Sequence, residues 1–364
     1  MSTKKQANKR LKGEGMHAVV YLGSGNLVVK DIDRPKPARG EVLVKVGANT
    51  ICGTDLRIAN GTKSKGVYPP VILGHELAGT VSELGEGVTG LKAGDRVGMT
   101  PSIACNACHQ CQDGNFNLCA SAQVLGHDIN GGLAEYFLVP ATAVANGNLI
   151  QAPQHLEPDE IALAEPLSCV LHGQNLMGIQ TDDVVVVIGG GAIGQLHAQL
   201  AKVAGARTVI VSEPVESRRK IALTLGADIV VDPLTEDLAA IVSAATDGRG
   251  ADVVIVCIGV PQLVNSALEL ARQRGKVSLF AGFPKEPAAQ IDANLIHYKE
   301  ITVTGSSNST ISEYRTALAL IADGRVNVKA LVTHRYGLDE IETALKTAAS
   351  PEALKVAVEP ARGQ

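Results

Sequence analysis

The alternation of apolar and polar positions divides the chain into two textures. From His17 to Val46 short apolar stretches are broken by turns, and Val42, Val44 and Val46 show the period-two spacing of a half-buried strand. This glycine-rich texture, poor in helical periodicity, continues to about Pro153 and predicts a mostly-β unit. Around Glu160 the pattern turns helical, in IALAEPLSCVLHGQNLMG. Strands and helices then alternate. Strands are predicted at 184–188, 208–211, 228–231, 252–257, 276–280 and 301–304, with helices opening near Ala192, Val215, Glu236, Pro261 and Asp292. Six strands in this order predict an α/β unit, a doubly wound parallel sheet with helices on both faces. From Ser306 the chain reads as helical, returning to a strand at 355–358. That tail is too short to stand alone and is expected to pack back on the N-terminal unit, with the active site in the cleft between units. The expected division is a disordered tail at 1–15, a catalytic unit at 16–172 and 306–364, and a nucleotide-binding unit at 173–305.

The centre of this pattern is VVVVIGGGAIG, Val184 to Gly194. Five apolar residues followed by glycines read as a strand buried on both faces. Gly189, Gly191 and Gly194 then satisfy G-x-G-x-x-G where a helix opens, the context of the dinucleotide fingerprint. The helix start at Ala192 and Ile193 offers backbone N–H groups to a pyrophosphate. Glu213 ends the next strand, 24 residues beyond Gly189. An acid there takes both ribose hydroxyls of NAD and repels the 2′-phosphate of NADP. Arg218 and Arg219 stand close by as groups that could neutralise such a phosphate, so NAD is expected and NADP stays possible.

Composition narrows the class without changing that picture. The chain has 364 residues, 45% hydrophobic and 19% charged, with net charge −4 and no Trp. Neither a basic surface nor a stacking platform for nucleic acid is expected, and no apolar run suffices to span a bilayer. The N-terminal MSTKKQANKRLKGEG lacks a secretory apolar core, so a cytoplasmic location is expected.

Four of the seven cysteines, Cys105, Cys108, Cys111 and Cys119, form C-x2-C-x2-C-x7-C. Four thiolates so spaced can enclose one tetrahedral Zn²⁺ with no open position, a structural site; an iron–sulfur cluster is the alternative. Pro101, Asn106, Gly114 and Asn115 supply the turns. His109 reads as a surface residue, and Cys169 and Cys257 as core packing.

A second set is dispersed: Cys52, Thr54 and Asp55 in ICGTDLR, and His75 and Glu76 in LGHELAG. Joined by the cysteine lobe, AGDRV (Ala93 to Val97), GGLAEY (Gly131 to Tyr136) and the fingerprint, it resembles the zinc-dependent medium-chain alcohol dehydrogenase family from Met16 to the end. The resemblance implies a GroES-like catalytic domain beside a Rossmann domain. It implies a catalytic zinc on Cys52 and His75, with Glu76 as an exchangeable or neighbouring carboxylate and Glu165 of LAEPLS as the remaining ligand. Glutamate at that position is found in the sorbitol, polyol and threonine dehydrogenase branches. Asp55 would fix the tautomer of His75, and Thr54 would accept the substrate proton. Arg57 stands where many relatives place the histidine that ends the proton relay, and an arginine cannot shuttle protons.

The activity so implied is oxidation of a secondary hydroxyl of a polyol, sugar alcohol or polyol phosphate by NAD⁺, with L-threonine or another alcohol as the alternative. Arg57, Lys63, Glu76, Ser306, Ser307 and Asn308 are the candidates for specificity. A quinone or enoyl reductase, a lyase using NAD transiently, and a non-catalytic nucleotide-binding protein are the other classes. A small-molecule alcohol, and neither nucleic acid nor membrane, is the expected partner. The resemblance also implies a homo-oligomer, a tetramer before a dimer.

Overall fold

A computed structural model describes residues 15–23 and 25–362. The tail expected at 1–15 lies outside the described residues, except Gly15, which opens the first strand. The period-two stretches do form strands. Gly15–Tyr21 lies between Leu27–Asp33 and Val71–Ile72 in a three-stranded sheet. A seven-stranded sheet runs Leu149–Gln151, Arg96–Met99, Glu76–Leu84, Val42–Thr50, Lys355–Val358 and Val332–Tyr336, with Tyr136–Val139 also paired to Val42–Thr50. The last two strands come from the C-terminal tail, which returns to this unit as expected. The tail is less helical than expected: Val332–Tyr336 is a strand between the helices Ile311–Ala322 and Ile341–Ala348, and it pairs in parallel with Lys355–Val358.

The second unit is a six-stranded parallel sheet. Its order is Ile229–Val231, Thr208–Ser212, Val184–Ile188, Ala251–Val256, Ala271–Leu279, Thr302–Gly305. This is the doubly wound arrangement, with the order reversing beside Val184–Ile188, whose residues are all buried. The strand expected at 276–280 begins earlier, at Ala271, because a register shift between Ala251 and Val253 lets it pair on both sides of an irregularity.

One helix ties the units together. Ala164–Met177 packs on Ile311–Ala322 and on the helix Ala192–Val203 that follows the glycine turn. Leu167, Val170, Leu196, Leu200, Tyr314 and Leu318 share one buried cluster with Ala78, Ile150 and Ala357 of the seven-stranded sheet. The hydrophobic core is therefore continuous across the two units.

Candidate active site

Strand register assembles the site. Val42–Thr50 pairs on one side with Glu76–Leu84, setting Thr50 opposite Glu76, and on the other with Lys355–Val358, setting Ala357 opposite Thr50. Cys52 therefore leaves one strand where His75 enters its neighbour. Cys52 is the N-cap of the helix Gly53–Ala59, and its N–H donates to Asp55 Oδ2 at 2.9 Å. Asp55 Oδ1 faces His75 Nδ1 at 3.4 Å, and that nitrogen has no other partner. One ligand atom each of Cys52, His75 and Glu76 lies within 4.8 Å of the others. A thiol, an imidazole and a carboxylate so placed suit Zn²⁺.

Glu165 stands at the first turn of Ala164–Met177, buried beside this trio and outside its 4.8 Å grouping. Burial, and then the charge of Glu76, push its carboxyl up to about 7. Cys169, one turn on, directs its thiol to Glu165 Oε1 at 3.6 Å, so it borders the site rather than serving only as packing. Cys257 is half-buried against the apolar layer of the second unit.

Glu76 does more than wait for a metal. It is 1% exposed, accepts a hydrogen bond from Thr50 Oγ1, and pairs with Lys355 Nζ at 2.6 Å. Burial opposes the charge on Lys355, but Glu76 and Cys52 outweigh it and raise its pKa. Although burial alone would lower it, the charges of Asp55 and Cys52 likewise raise the His75 pKa. Lys355 was not among the sequence candidates. Its one signal was a cation inside LKVAV, a strand otherwise apolar.

Thr54 sits on the helix Gly53–Ala59, and its Oγ1 accepts from Arg57 Nη2 at 3.1 Å. The other Arg57 nitrogen, Nη1, is 3.9 Å from where a Cβ on Gly282 would stand, just beyond the carboxyl end of Ala271–Leu279. Arg57, on the helix that Cys52 caps, thus reaches the edge of the parallel sheet where doubly wound folds bind ligands. Buried His127, also absent from the sequence candidates, adjoins it, its ring 6.0 Å from that of His75. Its Nδ1–H donates to Leu125 O at 3.2 Å, and its Nε2 accepts from Lys63 Nζ at 3.2 Å. Burial, then Lys63, push the imidazole down to about 4. A histidine in the turn-rich GHDING carries no periodic signal.

At the fingerprint, Gly189 has φ +100°, and a Cβ on Gly194 would stand 1.8 Å from Gly189 O. Both positions require glycine. The helix Ala192–Val203 opens there with no side chain capping it, which leaves Ala192, Ile193 and their N–H groups facing the turn. Glu213, 4% exposed, turns its carboxylate onto the turn and accepts from Gly190 N–H at 2.7 Å and Val215 N–H at 2.9 Å. Arg219 is engaged by Asp232 at 3.1 Å, and Arg218 donates to the carbonyls of Ser350 and Ala353. Arg218 is therefore a tie between the helix Glu216–Thr224 and the C-terminal tail, with Nη1 4.0 Å from a Cβ placed on Gly191.

The four lobe cysteines converge within 4.8 Å, with Sγ separations of 3.5, 3.6 and 3.8 Å. A tetrahedron with Zn–S of about 2.3 Å has S···S edges of about 3.8 Å, so the cage fits that ion. N–H groups of Cys111 and Ala120 pull the Cys108 thiol down to about 6. His109 is exposed and pairs with Asp113 at 3.0 Å. Ser307 and Asn308 anchor this lobe: Asn117 Nδ2 donates to Ser307 O, and Asn308 Nδ2 to Asn117 O. Ser306 is packed against Gly173.

Comparison with known proteins agrees with this arrangement. The family profile described as alcohol dehydrogenase GroES-like domain matches residues 38–149, and that described as zinc-binding dehydrogenase matches 192–323. The L-threonine 3-dehydrogenase of Pyrococcus furiosus is 38% identical over 320 residues, 87% of this chain and 90% of its own length. The sorbitol dehydrogenase of Halalkalibacterium halodurans is 36% identical, covering 93% of this chain and 97% of its own. A zinc-binding dehydrogenase from Sinorhizobium meliloti, solved bound to NADP, superposes with a TM-score of 0.89 at 37% identity, over 95% of this chain and all of that one. Among the described residues, no helix is long and apolar enough to cross a membrane.

Proposed function

The chain belongs to the zinc-dependent medium-chain alcohol dehydrogenases, which oxidise a hydroxyl with NAD(P), and from that premise we propose that it oxidises a secondary hydroxyl of a polyol or polyol derivative with NAD⁺. The observation that carries the reading is the convergence of Cys52, His75 and Glu76 beside Glu165, with Arg57 of the adjoining helix reaching the carboxyl edge of the parallel sheet. Cys52, His75 and Glu165 would hold the catalytic zinc, and Cys105, Cys108, Cys111 and Cys119 of the lobe would hold the structural one. Glu76 is kept by Lys355 and would serve as the exchangeable carboxylate beside that zinc. When bound, the zinc supplies Lewis acidity to the alcohol oxygen and the nicotinamide takes up hydride.

The remaining work belongs to side chains of this chain. Asp55 orients the His75 ring. Thr54 Oγ1, held by the Arg57 donor, keeps a lone pair for the substrate hydroxyl proton. Arg57 cannot take that proton, so it leaves through water. The Glu213 carboxylate against the glycine turn favours NAD⁺, because both nearby arginines are already engaged. L-Threonine is the second reading, favoured by the Pyrococcus relative.

We also place the protein in the cytoplasm, since its seven free cysteines suit a reducing compartment. A homotetramer is proposed as well. The outer strand Thr302–Gly305 is a half-exposed sheet edge, and Ile291 and Tyr298, which precede it in the chain, are exposed; association would cover such surface.

The test is NADH formation with zinc-loaded protein against polyols, polyol phosphates, aldonates and L-threonine. Turnover of at least one class, abolished in Cys52→Ala, is expected. Undiminished turnover in that variant would end the zinc reading.

A further inference from the structure

Several half-buried or buried cations of this chain have acids beside them. Lys355 has Glu76, Arg219 has Asp232, Arg272 has Asp252, and Arg335 has Asp159. Arg57 and Lys63 differ from these. Among the described residues, neither forms an ion pair with a carboxylate within 4.0 Å, although Lys63 is half-buried and acids stand nearby. Those acids are committed: Asp55 to His75 and the Cys52 N–H, and Glu76 to Lys355. The excess charge is felt locally, since burial and the Arg57 charge both push the Lys63 ammonium pKa down.

The two cations are held, not waving. Lys63 N–H donates to Arg57 O at 2.9 Å, closing the turn after the helix Gly53–Ala59. Its ammonium is then aimed by His127 Nε2, whose acceptor tautomer is fixed by the Nδ1–H bond to Leu125 O. Arg57 is fixed by its bond to Thr54, with the rest of its guanidinium toward Gly282. Lys63 therefore meets the imidazole whose ring lies 6.0 Å from that of His75, and Arg57 meets Thr54 and the Gly282 turn.

We propose that Arg57 and Lys63, the latter positioned by His127, form a subsite for an anionic group on the substrate, a carboxylate or a phosphate. The inference rests on the hydroxyl-oxidising reading above and narrows it. A neutral polyol would leave the half-buried Lys63 ammonium and the exposed Arg57 guanidinium without an anionic partner, whereas an anion supplies that charge and accepts two charge-assisted bonds. A planar, always-charged fork is suited to gripping an oxyanion and unsuited to passing protons.

The experiment compares matched sets of pentitols and hexitols, their monophosphates and the corresponding aldonates, with zinc-loaded wild type and Lys63→Met. The wild type should prefer an anionic member over its neutral parent by about 10-fold or more in kcat/KM. Lys63→Met should lower kcat/KM for that anion by about 10- to 100-fold, mostly through KM, and change the neutral parent by less than about threefold. Whether the phosphate or the aldonate arm responds identifies the anion. Calorimetric titration of the same anions into the NADH complex should give binding that Lys63→Met weakens equally. Neutral parents used as well as their anions, or equal losses on both, would overturn the subsite. If no hydroxyl in the panel is oxidised, the broader reading fails. Calorimetry then decides the subsite alone: anion binding lost in Lys63→Met upholds it, and no binding overturns it.

Discussion

Thr54 is the side chain whose chemistry is most constrained by its neighbour. Arg57 occupies one acceptor position on Oγ1, so the hydroxyl has one remaining lone pair with which to receive a proton. Thr54→Ala should slow turnover by about 10²- to 10⁴-fold, while Thr54→Ser keeps most of it; equal losses in both would remove the hydroxyl from the reaction. Glu213 is constrained by two backbone donors, which hold its charge against the glycine turn. Glu213→Ala should raise the ratio of NADP⁺ to NAD⁺ efficiency by about 10- to 100-fold, read from steady-state kinetics with each cofactor. Lys355 and Glu76 form a buried pair in which each depends on the other. Lys355→Met alone should cost about 3 to 5 kcal/mol of stability, and the double variant with Glu76→Gln should recover part of it.

At the scale of elements, the cysteine lobe and its anchor carry the clearest expectations. Asn117, from the lobe, donates to His172 Nε2 at 3.3 Å, and His172 Nδ1–H donates to Glu313 Oε1 at 2.9 Å, joining lobe, long helix and the helix Ile311–Ala322. Burial works against Glu313, but His172 and the N–H and hydroxyl of Thr310 hold its pKa below the usual carboxylate value. A carboxylate so depressed stabilises the fold above its unfolded pKa of about 4.3 and stops doing so as pH falls through its folded value. Wild type and Glu313→Gln should therefore differ in Tm near neutrality, and the difference should shrink below about pH 4. The sheet elements were legible because their signals are local: five consecutive apolar residues and three glycines leave few alternatives to Val184–Ile188 and its turn. The four-cysteine cage was legible for the same reason. Val332–Tyr336 escaped because its sequence VTHRY is half polar, and it becomes a strand only through pairing with Lys355–Val358. Lys355 and His127 escaped because register and loop closure, not spacing, bring them to Cys52 and His75.

For the whole molecule, the shared core means that the two units cannot unfold independently without exposing Leu167, Leu196 and Tyr314 together. Leu167→Ala should cost about 2 to 5 kcal/mol and lower one common transition, not split it into two, in calorimetry. Metal analysis of the purified chain should give two zinc ions, with Cys111→Ser removing one and sparing the group at Cys52. The helix Ala164–Met177 adds a mechanical relation. Glu165 is at its tip, and its far end packs among the elements that flank the glycine turn, about 18 Å away. A rocking of about five degrees at the far end sweeps the carboxylate through about 1.5 Å, the difference between touching a cation and releasing it. The seating of this one helix, and not its first turn alone, would therefore decide whether the Glu165 carboxylate could reach a metal held by Cys52 and His75.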